Sequence, residues 1–237
     1  MVSEPLLYDL TDSPFCAKAR ICLNLKGVEW RRVTLTLGRL RELRRFNPLG
    51  KVPVLVDGTI VVPDSSAIAR HLEDIYPTPA LLPADPAARA YCTLLEDWAD
   101  ESLSFIIGAF KWLNRDNRAR AIAATVDEMT SGPLRPLVGW AMAWHIRRRY
   151  AAWGFRESAL PGLVGRMREN LGVVETLLSG REFLLGRTPL LCDVALFAQL
   201  SWMHGYAEGR LLDEVPNVLD WLGRMSEMPP VAAALAA

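Results

Sequence analysis

The chain predicts a mixed α/β unit followed by an all-helical bundle, and three observations carry that expectation. The first eighty of its 237 residues alternate between strand-like and helix-like periodicity. Four prolines, Pro77, Pro79, Pro83 and Pro86, then fall within ten residues. Beyond them the strand signal disappears. At about 150 residues per domain the length makes one large domain or two small ones, which agrees.

The elements follow in order. Leu6-Leu7-Tyr8 is a short apolar run and reads as a strand. Ala17, Ile21 and Leu25 recur at helical spacing, a stripe that Gly27 can end. Glu29 to Thr34 returns to strand-like composition, and Leu40 to Phe46 reads as a short helix. Val52 to Val56 and Thr59 to Val62 flank Asp57-Gly58, the preferred chemistry of a type I′ hairpin turn. Ser66 to Tyr76 closes the unit, with Ile68, Leu72 and Ile75 on one helical face. No helix or central strand survives the proline density that follows, so a linker is expected there. Tyr91, Leu94, Leu95, Trp98 and Phe105 mark a long helix starting near Pro86, and Ile122, Val126 and Met129 another. Leu134, Val138, Ala141 and His145 suggest a third, and Val164, Met167, Leu171, Val174 and Leu178 a fourth. Further helices are expected over Leu191 to Tyr206 and Pro216 to Met225.

Composition narrows the function. Twenty-seven basic residues balance twenty-seven acidic ones, so the chain is a poor candidate for holding a polyanion, and no nucleic-acid partner is expected. Half the residues are apolar and 23% charged, which excludes disorder and permits a sizeable core. The longest stretch without charge, Val194 to Ala207, is 14 residues, short of the roughly 20 a bilayer needs. The first residues have neither the basic start nor the apolar core of a secretory signal. Cys16, Cys22, Cys92 and Cys192 lack metal-binding spacing and the density of a secreted scaffold. The expectation is a soluble cytoplasmic protein with no membrane association and no metal.

Three turns carry the chemistry. Ser13-Pro14-Phe15-Cys16-Ala17-Lys18-Ala19-Arg20 joins the first strand to the first helix. Serine at the cap with proline at the first helical position is a strong helix start. It places the Ser13 hydroxyl beside unpaired N–H groups at the positive end of the helix dipole, an environment that favours an anion. Asn47-Pro48-Leu49-Gly50-Lys51-Val52-Pro53-Val54-Leu55 comes second. A proline opening a strand is expected at a sheet edge, which would leave backbone groups near Val52 free for an extended peptide ligand. The third is Pro63-Asp64-Ser65-Ser66-Ala67-Ile68, where a serine opens a helix whose N–H groups suit a carboxylate while Asp64 suits an ammonium. Each turn alone is also an ordinary capped helix or strand entry.

In this order, and followed by the proline linker and helical bundle, these motifs resemble the soluble glutathione transferases, nearest the serine-type zeta and tau classes and their bacterial relatives. The resemblance covers nearly the whole chain. It implies a thioredoxin-like glutathione-binding domain over residues 1–78, a linker over 79–86 and an all-helical domain over 87–237 that forms an electrophile pocket. It further implies a cis bond at Pro53, a homodimer, glutathione as co-substrate and conjugation of its thiol to a small apolar electrophile. Carried over by position, Ser13 hydrogen-bonds the glutathione sulfur and Val52 pairs through its backbone with the cysteinyl part. Asp64 and Ser65 hold the γ-glutamyl end, and Lys51 reaches the glycine carboxylate.

The chain departs from the family in places. The zeta class has Ser-Ser-Cys where Ser13-Pro14-Phe15 stands, which argues against the isomerase activity of that class. Ser13 replaces the first cysteine of the redox Cys-Pro-x-Cys turn, so a dithiol cycle is unavailable, yet Cys16 remains a candidate redox thiol for glutathione-dependent thiol transfer. A non-catalytic binding module on the same scaffold is the third alternative. Leu190 stands where the buried helix usually has a serine or threonine cap, so half of that capping box is expected to be missing. Tyr8 is read as a core or strand-edge residue. Trp98, Phe105, Trp112, Trp140 and Trp144 are candidates for an apolar pocket, and Arg115 to Arg120 and Arg147 to Arg149 are read as solvated faces.

Overall fold

A computed structural model describes residues 4–237. A four-stranded sheet, ordered β2-β1-β3-β4, comprises β1 (Leu6–Asp9), β2 (Arg31–Thr34), β3 (Val54–Asp57) and β4 (Ile60–Pro63). β2 runs parallel to β1, whereas β3 is antiparallel to both β1 and β4. The crossover from β1 to β2 is α1 (Pro14–Leu25), and α2 (Leu40–Phe46) and α3 (Ser65–Ile75) complete the unit. This is the thioredoxin-like arrangement that the resemblance implied.

The hairpin differs by one residue from its expected turn. Asp57 pairs with Ile60, so the loop is Gly58-Thr59 and not Asp57-Gly58. Gly58 takes φ +60° at the first loop position, while Thr59 stays at negative φ. A single left-handed residue at that position is the pattern of a II′ turn, which needs glycine first. Gly27, at φ +65°, ends the first-helix segment as expected.

The helical part runs α4 (Pro86–Trp98), α5 (Ser104–Leu113), α6 (Arg115–Met129), α7 (Arg135–Ala152), α8 (Leu160–Leu178), α9 (Leu191–Met203), α10 (Pro216–Glu227) and α11 (Pro229–Ala236). A π-helical turn over Ala99–Leu103 joins α4 to α5. α9 is the buried axis of the bundle, packed against α1 and α4. Its start has only half a capping box. Asp193 accepts the Leu190 N–H at 3.0 Å, but leucine offers no acceptor in return. The same carboxylate also accepts from Leu184 N–H (2.9 Å) and Trp221 Nε1 (3.2 Å), so three donors hold it in place of a second cap.

α7 overturns its expected stripe. Leu134, Ala141 and His145 are exposed, and the buried face is Gly139, Ala143 and Tyr150. Small residues let α6 approach closely, and the larger apolar ones are left outside. α11 folds back onto α1: Arg20 Nε donates to the Ala234 carbonyl at 2.8 Å and Asn24 Nδ2 to that of Pro230 at 2.9 Å. These bonds fix the helix whose first turn carries Ser13.

Candidate functional site

Sheet register brings the three turns together. Tyr8, next to the C-terminal end of β1, pairs with Val54, the first residue of β3, and Val54 pairs with Pro63, the last of β4. The segments 10–13, 51–53 and 64–66 therefore all emerge at one end of the sheet.

Ser13 caps α1 in extended conformation, its Oγ accepting the Cys16 N–H at 3.3 Å. That bond uses an acceptor lone pair and leaves the hydroxyl proton free to donate to an anion. Cys16 is fully buried one turn inside the helix, and burial, helped by Asp9, pushes its thiol far above the ordinary range. The other three cysteines are buried too. Native protein at neutral pH is expected to resist alkylation by iodoacetamide at all four positions and the unfolded chain to take four labels. A fast-reacting Cys16 in intact-mass measurements would contradict the buried geometry. Tyr8 is likewise occupied. Its hydroxyl donates to Glu42 at 2.5 Å, its ring lies 5.4 Å from Phe46, and burial and Glu42 push it up to about 12.

The Val52–Pro53 peptide is cis, as the resemblance implied. The edge expectation does not hold, because β3 lies inside the sheet between β1 and β4. Pro53 is accommodated because it stands just before the strand, where its missing N–H breaks no ladder bond. Among the described residues nothing bonds the Val52 amide or carbonyl, so both remain available to an extended ligand. Lys51 is exposed beside Gly50, and its carbonyl accepts from Asn47 Nδ2 at 3.0 Å.

Asp64, not a serine, caps α3. It is the one non-glycine residue at positive φ among those described (+84°), and its Oδ1 accepts from Ser66 N–H (2.9 Å) and Ala67 N–H (3.0 Å). Those two amides, expected to receive a ligand carboxylate, are thus already satisfied from within the turn. The Ser65 N–H and hydroxyl, and the second Asp64 oxygen, are what this turn has left to offer. Backbone strain of this kind, on the order of 1–3 kcal/mol, persists where the surroundings over-determine the turn.

Two parts of the site were not legible beforehand. The first lies beneath α3. Lys18 Nζ, fully buried, reaches Glu96 and Asp100 at 2.5 Å each and Ser66 Oγ at 2.9 Å, while the Ser66 hydroxyl donates to Glu96. Burial works against the lysine charge, but Asp100 and Glu96 outweigh it and hold the ammonium above its usual range. Burial likewise raises Asp100, whereas at Glu96 the Lys18 ammonium, Ser66 and Arg70 overcome burial and lower it. Two carboxylates thus face one buried lysine, and Asp100 Oδ1 is buried without a partner. The one clue in sequence was Lys18 at four-residue spacing between Pro14 and Cys22, among side chains that α1 buries.

The second is the anchor of the Ser13 loop. Asp12 accepts from Lys111 Nζ (2.5 Å), Thr125 Oγ (2.9 Å) and Trp202 Nε1 (2.6 Å), which come from α5, α6 and α9. Glu128 of α6 accepts the Thr11 N–H at 2.8 Å and pairs with Arg32. The helical domain therefore grips the residue next to Ser13. Burial pushes the Lys111 ammonium down to about 8, although Asp12 opposes it. A lysine that titrates lower in the folded chain than in the unfolded one adds stability as pH rises between the two values, because the unfolded chain then holds more protons. Wild type is expected to gain unfolding free energy relative to Lys111→Met between about pH 8 and 10, measured by urea titration. Parallel pH profiles would contradict a buried charge here.

The expected aromatic pocket is dispersed. Phe105 packs on Tyr150, Trp153 and Phe155 at 4.9–5.7 Å, and Trp112 is buried. Trp140 and Trp144 lie exposed on α7. Cavities of about 440 and 410 Å³ between α6 and α7 are lined by neither Ser13, Val52 nor Asp64. Among the described residues no cluster of three or more metal-ligating side chains occurs, and no helix is long and apolar enough to cross a membrane.

Known proteins match the chain in sequence family and in fold. Residues 7–80 match the family model of the glutathione S-transferase N-terminal domain, and residues 157–224 that of the C-terminal domain. Glutathione S-transferase Z2 of Arabidopsis thaliana is 40% identical over 88 residues, covering 35% of this chain and 40% of that protein. Protein LigF of Sphingobium sp. (strain NBRC 103272 / SYK-6) is 24% identical over 242 residues, covering 95% of this chain and 90% of that one. The crystal structure of that protein, described as a beta-etherase, superposes with a TM-score of 0.78 over 99% of both chains at 23% identity. A glutathione transferase family member from Pseudomonas fluorescens, solved with two glutathione bound, gives a TM-score of 0.74 at 21% identity over 98% of this chain and 92% of that one.

Proposed function

Since the chain belongs to the glutathione S-transferase family, we propose that it activates the thiol of glutathione at Ser13 and transfers the sulfur to a small apolar electrophile. The observation that carries this reading is the Ser13 hydroxyl at the mouth of α1, its oxygen engaged by Cys16 N–H and its proton free. A thiol near pKa 8.5 is mostly protonated at neutral pH, while its thiolate is the nucleophile. Lowering that pKa by two units takes about 2.7 kcal/mol of preferential stabilisation of the anion. One hydroxyl donating to a charged acceptor supplies roughly 1.5–3 kcal/mol, and the helix terminus adds about 0.3–1 kcal/mol. The two together suffice without a general base, so Ser13 acts as a donor and not as an attacking group.

In this reading the tripeptide lies along the free Val52 amide and carbonyl, with its γ-glutamyl end at Asp64 and Ser65. Glu96 and Asp100 under the same helix start are balanced by Lys18 and by Arg70, 3.5 Å from Glu96, so the ammonium is assigned to the free Asp64 oxygen. Lys51, exposed at the entry to this segment, is assigned the glycine carboxylate. Thiol transfer through Cys16 loses support from the burial of that side chain. Cys16→Ser is accordingly expected to keep conjugating activity. The same reading includes a homodimer in the cytoplasm. Four unpaired, buried cysteines suit a reducing compartment.

The test is a calorimetric titration with glutathione, followed by turnover assays with halogenated aromatics, epoxides, isothiocyanates, peroxides and disulfides. Binding with turnover of at least one electrophile is the expected result. Absence of glutathione binding would make a non-catalytic module the better description.

A further inference from the structure

We propose that Asp12 is a positioning residue for thiol activation: the helical domain clamps its carboxylate and, through the peptide that follows, aims the Ser13 hydroxyl at the sulfur. The inference rests on Ser13 as the thiolate's donor and adds the residues that orient it.

The peptide group between Asp12 and Ser13 is held on both sides. Its N–H donates to the Leu10 carbonyl at 3.2 Å, and its oxygen accepts from Lys111 Nζ at 3.4 Å. The Asp12 carboxylate is held at both oxygens as well. Oδ2 accepts from Lys111 Nζ and Thr125 Oγ, and Oδ1 from Trp202 Nε1. A carboxylate bonded through one oxygen can still turn about its side-chain torsions. Donors on both oxygens, arriving from α5, α6 and α9, select one orientation.

The donors also hold one another. Lys111 is 2% exposed, and its Nζ sits 3.7 Å from the centre of the Trp202 ring. The Tyr206 ring packs edge-on against the same indole at 5.5 Å. The start of α1 does not require this clamp, because Ser13 caps the Cys16 N–H and Pro14 opens the helix within the turn itself. What the clamp adds is orientation. With its peptide plane fixed and its oxygen accepting the Cys16 N–H, Ser13 keeps one freedom that matters, the direction of its hydroxyl proton. Support of this kind behind a reacting group is what holds it within the narrow geometry that catalysis needs.

The test uses Trp202→Phe, Thr125→Val and Asp12→Asn, each alone and combined with Ser13→Ala, with glutathione and a halogenated dinitrobenzene as substrates. Trp202→Phe and Thr125→Val loosen the clamp without changing any charge. Each is expected to lower kcat about threefold while glutathione affinity stays within about twofold, and to raise the pH at which bound sulfur ionises by about half a unit. Asp12→Asn should lower kcat about tenfold. Its sign is informative, because removing a negative charge beside the sulfur would by field alone promote ionisation. In the Ser13→Ala background none of the three should reduce turnover further, since a residue acting through the hydroxyl then has nothing to aim. Thermal unfolding of each variant checks the fold, and Trp202→Phe, which keeps a ring beneath Lys111, remains decisive if Asp12→Asn does not fold. Equal losses with and without Ser13 overturn the proposal, as does a more acidic bound thiol in Asp12→Asn. Unchanged turnover in the clamp variants, with Ser13→Ala impaired, overturns the positioning role and leaves the reading of Ser13 intact. Full activity in Ser13→Ala overturns both.

Discussion

Ser13→Ala is expected to lower turnover of a halogenated dinitrobenzene at pH 6.5 by about ten- to a hundredfold, while glutathione affinity changes little. The magnitude follows from one hydrogen bond to a charged acceptor, roughly 1.5–3 kcal/mol, at 1.36 kcal/mol per tenfold. The binding contacts assigned to Val52, Asp64 and Ser65 do not involve the hydroxyl, so the loss should appear in kcat. It should also shrink as pH rises, because solvent then ionises the thiol without help. Ser13→Cys and Ser13→Thr distinguish donor from nucleophile. Threonine keeps a donating hydroxyl and should retain part of the rate, whereas a covalent adduct on residue 13 would indicate attack by that side chain.

The second large effect is on stability. Lys18→Met leaves Asp100 buried without a cation and Glu96 with only the half-exposed Arg70 at 3.5 Å, a change that typically costs about 3–5 kcal/mol. For a chain of this size that corresponds to a fall in Tm of roughly 6–20 °C. The sign of the pH dependence is fixed. Without the lysine both carboxylates bind protons more readily in the folded chain than in the unfolded one, so the variant loses stability as pH rises through their titration. The difference from wild type should therefore be smaller near pH 4 than near pH 7, by thermal unfolding at both. Glu96→Gln in the Lys18→Met background should recover part of the loss. A variant as stable as wild type at neutral pH would mean that the cluster contributes nothing to the fold.

Much of the architecture was legible because it rests on local chemistry. The Ser13-Pro14 start, Gly27 at φ +65° and the α8 stripe of Met167, Leu171, Val174 and Leu178 all follow from rules acting within one or two turns. What was missed depends on partners far apart in sequence. Asp12 is an ordinary loop residue until α5, α6 and α9 converge on it from 99 to 190 positions away. Lys18 is one of two charges in a largely apolar helix until Glu96 and Asp100 approach from α4 and the π-helical turn. The α7 face departs from its periodicity for another reason. Leu134, Val138, Ala141 and His145 share helical spacing, but close helix contact selects the neighbouring face of Gly139 and Ala143 and leaves Leu134, Ala141 and His145 outside. At Asp64 the carboxylate itself closes the helix start that the sequence assigns to a ligand, a role that local motif chemistry does not separate from binding.

Thiol activation is tested most directly by the ionisation of glutathione while bound, followed through the ultraviolet absorbance of the thiolate as pH is varied. In wild type the bound sulfur should titrate about two units below the free tripeptide, and in Ser13→Ala it should return most of the way. An identical titration in the two proteins, or a bound thiol no more acidic than the free one, would contradict the account.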